Sequence, residues 1–157
     1  MVLGAVILLL IAAASVPVTA GAQSAPSDAI YQLVLSIYAN QNGTDTSLIT
    51  GYVSDPTGLP FLKSSDHIYE NDTGKLYART GDLINRTGMD TLLNFNTDGH
   101  YDNYHVTFYL PSDVSLISVN CPEALDYTTS ASKDSLVVDV QGFDVDSPDV
   151  SMQYRTY

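Results

Sequence analysis

The chain has 157 residues, 18 acidic and 6 basic, for a formal charge of −12, and a single cysteine. Such a balance excludes generic nucleic-acid binding and docking on anionic lipid through a polybasic patch, since both need clustered Lys and Arg. One cysteine, Cys121, excludes an intramolecular disulfide, so stability must come from packing.

Residues 1–22, MVLGAVILLLIAAASVPVTAGA, are apolar or glycine without interruption from Val2 to Ala14. A run of this length suits the apolar region of a secretory signal and falls short of the ~20 residues that span a bilayer as a helix. Pro17 ends the apolar helix, and Ala20-Gly21-Ala22 supplies small residues for cleavage. The reading is a signal peptide cleaved after Ala22, with a retained N-terminal anchor as the alternative and as the only membrane attachment. Residues 23–29 are a polar, flexible leader. Residues 30–157 form one domain, long enough for a real core.

Of the acids, sixteen are Asp and two are Glu. Asp favours caps and turns over helix interiors, which points to many loops and few long helices. Ile30–Tyr38 alternates, with Tyr31, Leu33, Leu35 and Ile37 on one face. Asn42-Gly43 is a strong hairpin signal, and pairing across it sets Ile37 opposite Leu48 and Leu33 opposite Tyr52. Asp55–Pro60 is a turn-rich break, and Phe61–Lys63 reads as a short edge strand. His67–Glu70 and Lys75–Arg79 flank the loop 71–74 as a second hairpin. Residues 85–88, Asn-Arg-Thr-Gly, read as a turn. Strands are expected at Thr91–Asn96 and Tyr104–Leu110, the second with Tyr104, Val106, Phe108 and Leu110 facing one way. Further strands fall at 114–119, 127–131, 136–141 and 150–156, with Val150, Met152 and Tyr154 on one face. No window in residues 23–157 carries a helical period. Eight to ten short strands between turn signals make an all-β, antiparallel β-sandwich, immunoglobulin-like or jelly-roll-like.

Three N-glycosylation sequons begin at Asn42, Asn71 and Asn85, each on an expected turn where a glycan reaches solvent. Asn-Gly and Asn-Asp are also good turn residues without any glycan. The stretch Asp98-Gly99-His100-Tyr101-Asp102 would align two carboxylates and an imidazole if extended, but the Asp-Gly step is expected to bend it. His105 is expected on an adjacent strand and His67 is remote. Asp144, Asp146 and Asp149 lie in an oxygen-rich turn of the kind that holds Ca²⁺ weakly. Asx-turn chemistry explains the same residues, so neither a metal nor a cofactor is favoured. Cys121 reads as a buried, inert thiol. Eleven tyrosines without tryptophan suggest an aromatic carbohydrate surface, although Tyr31, Tyr69, Tyr104 and Tyr154 fit core-edge positions. None of the common hydrolase or nucleotide-binding motifs occurs, and no catalytic residue is assigned.

The signal, the strand pair around Asn42-Gly43, and the stretches YHVTFYLPSDVSLISVN and SLVVDVQGFDVDSPDVSMQYR resemble the extracytoplasmic β-domains of archaeal, methanogen-type surface proteins. Some of those domains precede a membrane helix and a cytoplasmic winged-helix domain. The resemblance implies an exported, non-enzymatic cell-surface protein with a structural, adhesive or interaction role, whose partners are other envelope proteins or copies of itself. A ligand-binding or sensor ectodomain, with this chain a fragment of a membrane-associated protein, is the alternative.

Overall fold

A computed structural model of the chain describes residues 30–39 and 43–157. The signal or anchor reading of residues 1–22, the leader at 23–29 and the sequon asparagine Asn42 lie outside the described residues. The described chain is all-β, with 66% of residues in strands and 7% helical. Among the described residues there are eleven strands, against the eight to ten expected. They are β1 (Gln32–Ala39), β2 (Ser47–Val53), β3 (Asp66–Glu70), β4 (Lys75–Thr80), β5 (Ile84–Thr87), β6 (Asp90–Asn96), β7 (His100–Pro111), β8 (Val114–Asn120), β9 (Asp126–Ala131), β10 (Ser135–Asp146) and β11 (Asp149–Thr156).

The strands form two sheets, one ordered β3-β4-β2-β1-β7-β10-β9 and the other β5-β6-β11-β8. One apolar cluster joins them: Leu33, Leu35 and Ile37 of β1, Val106 and Phe108 of β7, and Val138 and Val140 of β10 meet Leu93 and Phe95 of β6 and Val150, Met152 and Tyr154 of β11. Phe95 touches Phe108 edge-on across the layers, ring centroids 6.0 Å apart. The alternation read in β7 and β11 places its apolar face in this core, as period-2 burial requires. One pair departs from the antiparallel expectation: β1 and β7 run parallel, with Ile37 beside Phe108.

Four local expectations are corrected. In the first hairpin Ile37 lies opposite Ile49 and Leu33 opposite Val53, one residue away from the expected register. A one-residue slip exchanges the two faces of a strand, so Ile49 and Val53 are buried while Leu48 and Tyr52 face solvent. Gly51 fits this register only as glycine. Its φ is +151°, and a Cβ would stand 2.1 Å from the carbonyl oxygen of Val34. Phe61–Lys63 is not a strand but part of a 3-10 turn, Pro60–Ser64, following another at Pro56–Gly58. Adjacent Phe61 and Leu62 are both buried, which a strand cannot achieve against one core. Asn85, Arg86 and Thr87 belong to β5, and the turn falls later, at Gly88-Met89. Tyr31 precedes β1 and is exposed, whereas Tyr104 and Tyr154 are fully buried and Tyr69 half-buried.

Cys121 is half-buried and free, its Sγ 3.7 Å from the carbonyl of Leu125. Burial pushes its thiol up, with the charge of Asp126 adding to the effect, so the reactive thiolate is disfavoured. Among the described residues no helix is long and apolar enough to cross a membrane.

Candidate functional site

Two features of the surface stand out: an acidic pole built by β7 and β10, and the outer face of the larger sheet.

The pole brings together the two stretches singled out in the sequence. Gly99, with φ +93°, supplies the bend expected at the Asp98-Gly99 step, and the chain continues from it as strand. His100 therefore opens β7, and its Nε2 lies 3.5 Å from Asp102 Oδ1. β10 pairs with β7 as far as Asp146 opposite His100, so the residues expected in a turn at 144–146 are strand residues. This pairing sets Asp146 Oδ1 2.9 Å from His100 Nδ1 and Asp144 Oδ1 3.4 Å from Nε2. Three carboxylates thus surround one imidazole. Its pKa is raised, first by the hydrogen bond to Asp146, which outweighs the opposing desolvation and is reinforced by the Asp146 charge and by Asp102.

The pole is held by backbone contacts. Ser147 N–H donates to Gly99 O at 2.7 Å, and Gly99 N–H donates to Ser147 Oγ at 3.0 Å. Asp144 and Ser147 both adopt positive φ, 55° and 41°, a conformation uncommon outside glycine and enriched at Asp. Asp102 Oδ2 accepts the N–H of Tyr31 at 2.6 Å, tying the approach to β1 onto β7. Beside the imidazole is a cleft of about 230 Å³, lined among others by Tyr31, Asp55, Thr57, Asp98 and Tyr101. The Tyr101 hydroxyl donates to Asp98 O at 3.0 Å, and burial pushes its pKa up to about 12.

The other candidates are dispersed. Asp149 starts β11 opposite Asn96, in the other sheet from Asp144 and Asp146, so the three Ca²⁺ candidates do not share one turn. Among the described residues no group of three or more His, Cys, Asp or Glu is placed to hold a metal ion. His105, expected on an adjacent strand, lies on the same strand as His100, with Nε2 2.8 Å from Asp139 Oδ1. Burial pushes the Asp139 carboxyl up, but hydrogen bonds from Thr107 and His105 more than offset this and leave it lowered. His67 contacts Ser65. Asn71 is exposed in the β3–β4 turn and Asn85 is exposed on β5.

The outer face of the larger sheet was hidden from sequence reasoning by the one-residue error in β2. Across it, register aligns Arg79, Leu48, Tyr38, Tyr109 and Val137 in one row and Ile68, Tyr77, Thr50 and Ser36 in the next. Tyr38 and Tyr109 stack at 4.6 Å with their planes 10° apart. Leu48 is 50% exposed, Ile68 67% and Tyr77 47%. A shallow hollow of about 730 Å³ lies among Tyr38, Leu48, Ile68, Tyr77 and the Asp66 and Arg79 side chains. A contiguous apolar patch with a polar rim is the usual mark of a contact surface. Comparison with known proteins finds no family model that matches the chain, and no curated protein with significant similarity to it.

Proposed function

We propose that the chain is an exported, non-enzymatic cell-surface β-sandwich that works by adhesive contact, using the outer face of its larger sheet. The observation that carries the reading is the row of Leu48, Tyr38 and Tyr109 beside Ile68 and Tyr77. These residues contribute nothing to the core between the sheets, yet they are apolar and adjacent. Aromatic and aliphatic side chains so placed gain further free energy when a partner removes them from water. The resemblance to extracytoplasmic domains of archaeal surface proteins gives the partner as another envelope protein. Asn71 is exposed in the β3–β4 turn and Asn85 on β5 of the other sheet, so a glycan at either starts outside that row.

Retention on isolated cell envelopes of the native host tests the proposal. Wild-type protein should be retained, and the double variant Ile68→Asp, Tyr77→Lys should be released while keeping its melting temperature. Equal retention of both proteins refutes the assignment of this face.

The cleft at the acidic pole favours a second reading, a ligand-binding ectodomain. Asp55 and Asp98 line it, carboxylates suited to a small cationic ligand. Calorimetric titration with small polyamines tests this reading, and absence of heat at millimolar ligand removes it.

A further inference from the structure

Four strands end the two sheets, and three of them carry features that discourage pairing with another chain. β3 carries Asp66 and Glu70 at its ends and His67 between them. β5 has only four residues, and its Arg86 is engaged by Asp45 at 3.2 Å. β8 is bulged: Ser118 pairs with Gln153 and Leu116 with Tyr154, leaving Ile117 without a partner on β11. Charge, shortness and bulges are the ordinary protections of a sheet edge.

β9 has none of them beyond its first residue, Asp126. Its six residues, Asp126–Ala131, pair with β10 in unbroken register, and from Tyr127 to Ala131 they include no charge and no proline. Every one of the six is exposed, because neither face is covered by the smaller sheet. No described strand pairs its far side.

We propose that two copies of this chain pair antiparallel through β9 about a two-fold axis at Thr129, making the larger sheet continuous between them. Side chains directly opposite in an antiparallel pair share one face, and this register satisfies that rule. Thr129 meets its own copy, Thr128 meets Ser130, and Tyr127 meets Ala131. Thr–Thr and Thr–Ser pairs across strands are favourable. The small Ala131 leaves room for the ring of Tyr127, which is 46% exposed in the single chain. Asp126 falls opposite Ser132, so no like charges face each other along the strand. An isologous arrangement of this kind closes with two copies and does not propagate. It involves a different surface from the outer-face contact, and either can fail without the other.

Sedimentation of the full chain at about 0.15 M and about 1 M salt tests the proposal. A concentration-dependent dimer is expected, tightening with salt, because each copy carries −12 and the β9 contact contains no ion pair for salt to weaken. Thr129→Lys places like charges across the axis and should raise the dimer Kd about tenfold or more, with its thermal midpoint unchanged at concentrations where both proteins are monomeric. A second variant, Thr129→Cys in a Cys121→Ser background, reads the register without depending on repulsion. Opposed Cα atoms at the axis lie about 4.5–5.5 Å apart, within disulfide reach. Mild oxidation should therefore link Thr129→Cys as a dimer much faster than a Thr87→Cys control on β5. A monomer up to about 1 mM, a dimer indifferent to Thr129→Lys, or linking no faster than the control overturns the proposal.

Discussion

The register of the first hairpin can be tested by truncating two adjacent residues. Ile49 is 2% exposed in the core and Leu48 is 50% exposed on the outer face. Ile49→Ala removes buried methyl groups and leaves a cavity, at a cost of about 2–5 kcal/mol. Leu48→Ala removes atoms already half in water, and surface substitutions of this kind cost within about 0.5 kcal/mol. For residues 30–157, unfolding entropy near 60 °C is about 0.27 kcal/mol/K, from ~2.1 cal/mol/K per residue. A loss of about 3 kcal/mol then lowers Tm by about 11 °C, and a loss of about 0.5 kcal/mol by about 2 °C. Calorimetry or thermal circular dichroism separates these values easily. The alternative register, with Leu48 opposite Ile37, reverses the order. A Leu48→Ala variant melting well below Ile49→Ala would refute the structural reasoning for this strand.

Gly51→Ala should be destabilised by about 2–4 kcal/mol, combining backbone strain with overpacking against the Val34 carbonyl; a melting point within 2 °C of wild type, by the scale of about 0.27 kcal/mol/K, contradicts the close approach. His100 should titrate above an ordinary histidine by NMR, and Asp146→Asn should bring it down. Because its folded pKa is raised, its stabilising contribution is fully present below the unfolded value of about 6.5 and is lost as pH rises through the folded pKa. A histidine that titrates unchanged in Asp146→Asn refutes that linkage. Ca²⁺ and Mg²⁺ at equal ionic strength should raise Tm equally, by screening; a Ca²⁺ excess of about 3–6 °C that Asp146→Asn abolishes would establish a Ca²⁺ site.

Legibility in the sequence followed how one-sided each strand is. β7 reads cleanly because Tyr104, Val106, Phe108 and Leu110 alternate with His105, Thr107 and Tyr109, and the polar members leave only one choice of inner face. β11 is similar. In β2, Ser-Leu-Ile-Thr-Gly-Tyr-Val, each face carries large apolar residues, so alternation alone leaves two registers open. The backbone at Gly51 belongs to one of them, a constraint that composition does not display. Pro60 and adjacent buried Phe61 and Leu62 were compatible with a short strand until the core's position made a 3-10 turn the only way to bury both. The acidic pole was legible in pieces. His100 and Asp146 are 46 residues apart, and only the pairing of β7 with β10 places them in contact. The same holds for His105 and Asp139, 34 residues apart.

The order of strands within the sheets bears on how the chain acquires its structure in time. β1, near the middle of the larger sheet, has β7 for one neighbour, beginning with Gln32 beside Asn103. In the smaller sheet β11 alone connects β5-β6 to β8. Until residues 149–156 are available, that sheet has no centre, and the inner side chains of β6 and β8 have no common strand to join them. Folding must therefore wait for contacts between distant residues, and the loop-closure entropy places it in the slow class of two-state β proteins, ms to s. A chain emerging from the ribosome could complete the smaller sheet only once β11 is free to join β6 and β8.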